Sequence, residues 1–175
     1  MGKQLNWEAI FRKVSRIKEV KIKWFQMKIC YRVLVTNSIL KNMGIIETNL
    51  CNFCGQERDT IIHYLWECQR IQTFWKDFKK CFLEKCINSA RMTITKCLII
   101  FGKDERISTD EGFDHILLQT KFYIHKCRIN KILPNIVTWK EAIREFFVID
   151  KHVNKIEMSM YKFNSKWFPY LGLIE

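Results

Sequence analysis

Four potential metal ligands lie within a span of 18 residues in this chain of 175 residues. They are Cys51, Cys54, His63 and Cys68, and their spacing is Cys-x2-Cys-x8-His-x4-Cys. Three thiolates and one imidazole at such spacing can surround one ion as a tetrahedron, as in structural zinc sites. Because four protein ligands leave no position for water, the pattern predicts a structural zinc knuckle rather than a zinc catalyst.

Two other interpretations of these residues explain the pattern less well. A pair of buried cysteines with an unrelated surface histidine would leave a Cys-x2-Cys beside Gly55 without a purpose, and exposed thiols are reactive. Zinc deaminases also use one His and two Cys, but their His-x-Glu precedes a Pro-Cys-x-x-Cys. Here the cysteine pair comes first, and the residue two positions after His63 is Leu65. We therefore expect no zinc catalysis.

The charge of the chain predicts a polyanionic partner. The formal net charge is +12 and the pI is about 9.4, which favours RNA or DNA over a membrane surface. A zinc ion with three thiolates and a neutral imidazole carries a formal charge of about −1, so the metal centre would not itself attract phosphate. Phosphate contacts must come from neighbouring side chains, and the candidates nearest the knuckle are Lys41, Arg58 and Arg70.

The N-terminal residues, the apolar runs and the cysteines indicate the cellular compartment of the protein. The first residues lack the apolar segment of a signal peptide, and no apolar run approaches the length of a membrane span. We therefore interpret the eight cysteines as belonging to a reducing, intracellular compartment, without distinguishing nucleus from cytoplasm. We expect neither a membrane nor a small-molecule substrate as a partner.

The small number of helix-breaking residues in the chain predicts an all-α fold with the zinc knuckle embedded in it. Only two prolines and six glycines interrupt the sequence, and 48% of its residues are hydrophobic. We expect a basic helical segment over 1–50, the knuckle over 51–68 and a helical C-terminal part over 69–175, all within one compact unit. Residues 92–102 are rich in β-branched side chains, so their period does not decide between strand and helix.

Several helix boundaries can be predicted from capping residues and apolar periodicity. Cys68 lies about 140° from His63 on an ideal helix, so a break or unwinding near Glu67 and Cys68 is needed for both to bind one ion. The expected helices are one capped by Asn6, one from about Lys18 to Val35, one capped by Asn37 and ending near Gly44, one capped by Asp59 that presents His63, one from Gln69 to about Leu83, one from Ser108 or Asp110 to Lys131, and one from Thr138 to about Tyr161.

The helix before the knuckle combines positive charge with aromatic side chains. On an ideal helix Lys21, Lys28 and Arg32 fall within about a 40° sector. Trp24 and Tyr31 lie together beside that sector, and such a surface is suited to phosphate contacts with stacking on unpaired bases. Two alternatives stay open at this point: a solvated basic face without a partner, and ordinary core packing of the two aromatic rings.

The order of these elements resembles a known family. The stretch KIKWFQMKICYRVLVTN from Lys21 to Asn37, the four metal ligands with HYLWEC from His63 to Cys68, and Phe74-Trp75 resemble the zinc-binding region downstream of the reverse transcriptase in LINE-type, non-LTR retrotransposons. The resemblance covers roughly Trp7 to Trp75 and is weaker beyond. It implies a noncatalytic module that holds element RNA or target DNA, normally fused to an upstream polymerase, with the family's zinc ligands at the four positions above.

The chain also departs from the longer proteins of that family. It contains no adjacent Asp-Asp pair of a polymerase, and Pro134 and Pro169 are followed by Asn135 and Tyr170 rather than by the Asp of a restriction-like nuclease. We therefore expect no enzymatic activity. Two alternatives to nucleic-acid binding remain: a zinc-stabilised scaffold for protein interactions, and a retrotransposon remnant that folds without a selected function.

Overall fold

The computed structural model describes residues 5–86 and 93–174, and within these residues it contains eight α-helices and no strand. The all-α prediction is therefore confirmed. No helix in these ranges has both the length and the apolar character needed to cross a membrane. The helices are α1 Trp7–Ser15, α2 Val20–Cys30, α3 Asn37–Asn42, α4 Gln69–Lys85, α5 Lys96–Phe101, α6 Glu111–Ile129, α7 Ile136–Ile156 and α8 Met160–Trp167, with a π-helical turn at His63–Glu67 and a 3-10 helix at Phe168–Leu173.

Side-chain caps set most of the helix starts. Asn6 accepts a hydrogen bond from the backbone N–H of Ala9 at 2.9 Å, as predicted for α1. Asp110 caps α6 in the same way, so the alternative start at Ser108 is wrong. The cap predicted at Asn37 and the helix start predicted at Thr138 are also wrong, because α3 is capped by the preceding Thr36 and α7 begins at Ile136 with Asn135 as its cap.

Two further helix ends differ from the sequence prediction, each next to a single residue with positive φ. Helix α2 ends at Cys30 rather than Val35, since Arg32 has a φ of 59° and reverses the backbone. Helix α7 ends at Ile156 rather than near Tyr161, since Met158 has a φ of 53°. The undecided segment over 92–102 is helical over Lys96–Phe101 and ends at Gly102, whose φ is 71°. Met92 lies outside the described residues.

The main core is formed where α4, α6 and α7 meet. The ring of Phe78 on α4 packs edge-on against Trp139 on α7, with 5.0 Å between centroids. The indole of Trp139 donates to the hydroxyl of Thr120 on α6 at 2.9 Å, which satisfies a buried polar group. Helix α1 packs through a smaller cluster that contains Ile10, Val14 and Cys30. The buried aromatic side chains of α4 hold that helix in the main core. They thereby fix the start of α4, which directly follows the metal ligand Cys68.

Helix α6 passes the C-terminal segment at Gly112 with no space for a side chain. A Cβ atom at this position would stand 2.2 Å from the carbonyl oxygen of Lys166 and 2.5 Å from the ring of Tyr170. We expect Gly112→Ala to lower the free energy of unfolding by roughly 1–3 kcal/mol, because the overpacked backbone must shift. Chemical denaturation would measure it, with Glu111→Ala at the exposed neighbouring position as the control. Equal stability of the two variants would contradict this packing.

Candidate metal centre

The structure brings all four predicted ligands together. The Sγ atoms of Cys51, Cys54 and Cys68 and a ring nitrogen of His63 all lie within 4.8 Å of one another. The Sγ of Cys54 is 3.4 Å from Nε2 of His63. Cys51, His63 and Cys68 are buried, whereas Cys54 is half-buried. The cluster could therefore hold one metal ion, with Cys54 as its most exposed ligand.

The first two ligands are positioned by a tight loop after Cys51. The backbone N–H of Gly55 donates to the carbonyl of Cys51 at 2.8 Å, and Gly55 has a φ of 65°, which suits a residue without Cβ. A hydrogen bond from the N–H of Cys51 to the carbonyl of Glu57, at 2.8 Å, closes the base of the loop. The backbone alone thus directs both sulfur atoms of the Cys-x2-Cys pair to the same side.

The other two ligands are brought to one face by the π-helical turn. The N–H of Cys68 donates to the carbonyl of His63 at 2.8 Å, five residues earlier. In this i to i+5 pattern five residues make about one turn, whereas an α-helix would place the two side chains far apart. The expected unwinding near Glu67 and Cys68 is thereby confirmed. The helix cap predicted at Asp59 is wrong, because the hydroxyl of Thr60 accepts the hydrogen bond from the N–H of His63, at 3.1 Å.

Backbone amides surround two of the sulfur atoms. The hydrogen bond to Cys68 and burial raise the pKa of Cys51, and the N–H groups of Cys54 and Phe53 act in the opposite direction. The hydrogen bond from Cys51 lowers the pKa of Cys68, and the N–H groups of Ile71 and Arg70 lower it as well. These donors are suited to stabilise sulfur negative charge in a buried site.

A buried ion pair that the sequence did not predict fastens the knuckle to the helical body. The carboxylate of Asp59 is fully buried, and its two oxygens accept from Nε of Arg128 at 3.1 and 3.0 Å. A second guanidinium nitrogen also pairs with this carboxylate. The carboxylate also accepts a hydrogen bond from the backbone N–H of Asn37 at 2.7 Å. Asp59 therefore links the knuckle to α6 and α3 instead of capping a helix.

Arg128 makes further contacts to three segments around the metal centre. Its NH1 donates to the carbonyl of Val35 at 3.3 Å, and its guanidinium lies 4.9 Å from the ring centre of Tyr64 in the π-helical turn. Its own carbonyl accepts from Nδ2 of Asn52, between the first two ligands, at 3.0 Å. No local signal could have identified Arg128, because its partners are distant in sequence. The C-terminal end of α6 thus determines where the metal centre sits.

The side chains predicted to contact nucleic acid are all exposed. Trp24 and Tyr31 each expose 60% of their surface, so core packing of these rings, the alternative left open above, is wrong. The geometry of the basic sector needs a correction, because Arg32 lies beyond the end of α2 and only Lys21 and Lys28 share the helix. Arg58 is partly anchored, since its Nε donates to the hydroxyl of Ser38 at 3.0 Å. The exposed basic members are Lys21, Lys28, Arg32, Lys41, Arg58 and Arg70.

Comparison of the chain with protein-family models, with curated proteins and with solved structures returns no match.

Proposed function

We propose that the chain is a noncatalytic module that binds RNA or DNA, and that one structural zinc ion stabilises it. The donor set carries the metal part of this proposal. Three sulfur atoms and one imidazole within 4.8 Å of one another suit the size and softness of Zn²⁺ and leave no ligand position for water. In this role Cys51, Cys54, His63 and Cys68 would hold the ion, and the ion would fix the loop and the π-helical turn to each other.

The observation that carries the nucleic-acid part is the exposure of cations and aromatic rings together on and just after α2. Large aromatic side chains are usually buried, yet Trp24 and Tyr31 are open to solvent. Trp24 lies between Lys21 and Lys28 in α2, and Tyr31 follows the end of this helix, next to Arg32. Helix α2 contains no acidic residue. Aromatic faces beside positive charge are suited to stack on unpaired bases while the cations contact phosphate.

The buried metal centre supports a binding role rather than a catalytic one. A centre with four protein ligands offers neither a bound water nor an open coordination position. The resemblance to the zinc-binding region of LINE-type retrotransposon proteins leads to the same proposal, in which the module holds element RNA or target DNA for an upstream polymerase. Pure protein with Mg²⁺ should then neither extend a primer nor cleave DNA.

Salt-dependent binding to a single-stranded RNA tests the proposed surface. We expect the triple variant Lys21→Ala, Lys28→Ala, Arg32→Ala to bind more weakly and to reduce the slope of log K against log salt by about 2, because each lost phosphate contact removes roughly 0.7 from the slope for single strands. Filter binding across a range of salt concentrations measures the slope. A matched control replaces three exposed lysines elsewhere, Lys79, Lys80 and Lys155, and keeps the same net charge as the test variant.

The outcomes separate the alternatives. A slope that is unchanged in the test variant, or that falls equally in the control, would contradict the assignment of the nucleic-acid-binding surface to α2.

A protein-interaction scaffold has one observation in its favour, because α7 presents exposed apolar side chains at Val148, Ile149, Val153 and Ile156. If the wild-type protein binds RNA no better than an unrelated basic protein of equal charge, the scaffold becomes the better proposal.

A further inference from the structure

A cavity of about 770 Å³ lies on the far side of α2 from the exposed aromatic rings, between α1, α6 and the turn that joins α7 to α8. Its volume is within the range of pockets that bind small organic molecules. Part of its wall is apolar, and part is formed by charged side chains at the rim. The apolar members are Val14, Ile17, Phe101, Leu117 and Leu118.

Two buried polar side chains in this wall have unused hydrogen-bonding capacity. Lys121 is 1% exposed, and its Nζ has one hydrogen bond among the described residues, to Oε1 of Gln26 at 2.5 Å. An ammonium group has three donors, so two of them lack an acceptor there. Nε2 of His115 has no hydrogen-bond partner among the described residues, although its ring is largely buried; it lies 3.8 Å from Oε1 of Glu19. Buried polar groups without partners are rare and call for an explanation.

The charged groups at the rim are largely satisfied by one another. Lys13 pairs with Asp114 at 2.6 Å, and Lys166 pairs with Asp150 at 2.6 Å. Lys18 pairs with Glu157 across the mouth of the cavity. Within the ranges that the structure describes, Arg16 and Lys162 form no ion pair, and Glu19 and Glu111 form none with a lysine or an arginine. These two cations and two carboxylates are equal in number, so the excess positive charge of the lining is that of Lys121.

We propose that this cavity binds a small molecule with one carboxylate and an apolar body, the carboxylate accepting hydrogen bonds from Lys121 and the body contacting Ile17, Leu117 and Leu118. A monoanion suits the site better than a phosphate dianion, because Glu19, Glu111 and Asp114 also line it and would repel the second charge. This inference is independent of nucleic-acid binding, and it departs from the sequence-based expectation that no small molecule is bound.

The protonation of Lys121 gives the site a distinctive pH dependence. Burial lowers the pKa of this lysine to about 7, and a bound carboxylate would raise it again. The neighbouring groups do not change charge above neutral pH, because burial raises the pKa of Cys30 and lowers that of His115. The other charged groups around the cavity are Lys13, Arg16, Lys18, Glu19, Glu111, Asp114, Asp150, Glu157, Lys162 and Lys166.

Isothermal titration with decanoate tests the proposal on the full chain. The fatty acid is ionised at both pH 6.5 and pH 8.5, whereas Lys121 loses most of its charge over this interval. Binding should therefore be tighter at the lower pH, by roughly twentyfold for a lysine whose free pKa is about 7. The neutral alcohol 1-decanol, which has the same apolar body, should bind more weakly at pH 6.5 and should show no such pH dependence.

Three variants make the result specific. Lys121→Met keeps the length of the side chain and should weaken decanoate binding at pH 6.5 by at least about tenfold, with the pH dependence lost. Leu118→Trp should block binding by filling the cavity, and Leu133→Trp, at an exposed leucine outside the cavity, should bind as the wild type does. Absence of binding at millimolar decanoate, or a wild-type affinity and pH dependence in folded Lys121→Met, would overturn the proposal.

Discussion

Replacing Cys68 by serine is expected to reduce the zinc content of the purified protein from one equivalent to none and to unfold the segment between Cys51 and Arg70. The sulfur of Cys68 is fully buried within the four-ligand cluster. Structural zinc contributes on the order of 10 kcal/mol in zinc-finger peptides, which is comparable to the stability of a whole domain. Because the proposed ion would join the loop to the π-helical turn, both segments should lose order together.

Elemental analysis and hydrogen exchange measure these two effects separately. The amides over residues 51–70 should exchange much faster in Cys68→Ser, while the amides of α6 and α7 keep most of their protection because the aromatic core remains. Cys97→Ser is the matched control, since Cys97 is a half-buried cysteine outside the cluster. A Cys68→Ser protein that retains one zinc with unchanged exchange would show that Cys68 is not a ligand.

Replacing Arg128 by methionine is expected to lower the free energy of unfolding by about 3–5 kcal/mol. The substitution leaves the carboxylate of Asp59 buried without a counter-charge, and breaking one side of a buried ion pair has this cost. The loss should fall mainly on the metal centre, because Arg128 joins α6 to the segments on both sides of it. We therefore expect faster zinc transfer to a chelator as a second effect, measured alongside denaturant unfolding.

An exposed ion pair supplies the control for this effect. Arg12 pairs with Glu8 on the surface of α1, with both side chains largely exposed, so Arg12→Met should change stability by less than about 1 kcal/mol. The double variant Asp59→Asn, Arg128→Met removes both charges and should recover part of the loss. If Arg128→Met is as stable as Arg12→Met and releases zinc at the wild-type rate, Arg128 does not hold the metal centre in place.

The features that could be predicted from the sequence are those that depend on neighbouring residues. The four ligands are close in the chain, and the 140° offset between His63 and Cys68 already required an unwound turn. Asn6 and Asp110 cap their helices through side chains that reach only three residues ahead. In α4 the residues Ile71 and Phe78, seven positions apart, lie on one face of the helix, and both are buried. In each case the physical cause acts within about one or two helical turns.

The features that could not be predicted depend on distant partners or on rare backbone conformations. Arg32 and Met158 adopt positive φ although neither is glycine, and nothing in their neighbours indicates that α2 and α7 end there. The partner of Asp59 is 69 residues away. From its neighbours in the sequence Asp59 was predicted to cap a helix, but its carboxylate forms a buried ion pair. The same tertiary packing creates the cavity around Lys121, for which no local pattern exists.

In the proposed function the metal centre is a closed zinc site that supports a binding surface and does not itself bind the nucleic acid. X-ray absorption at the zinc edge, on the protein alone and with saturating single-stranded RNA, tests this role. We expect three sulfur atoms at about 2.3 Å and one nitrogen at about 2.0 Å, unchanged by RNA. An oxygen ligand in either spectrum, or a coordination shell that changes when RNA binds, would contradict it.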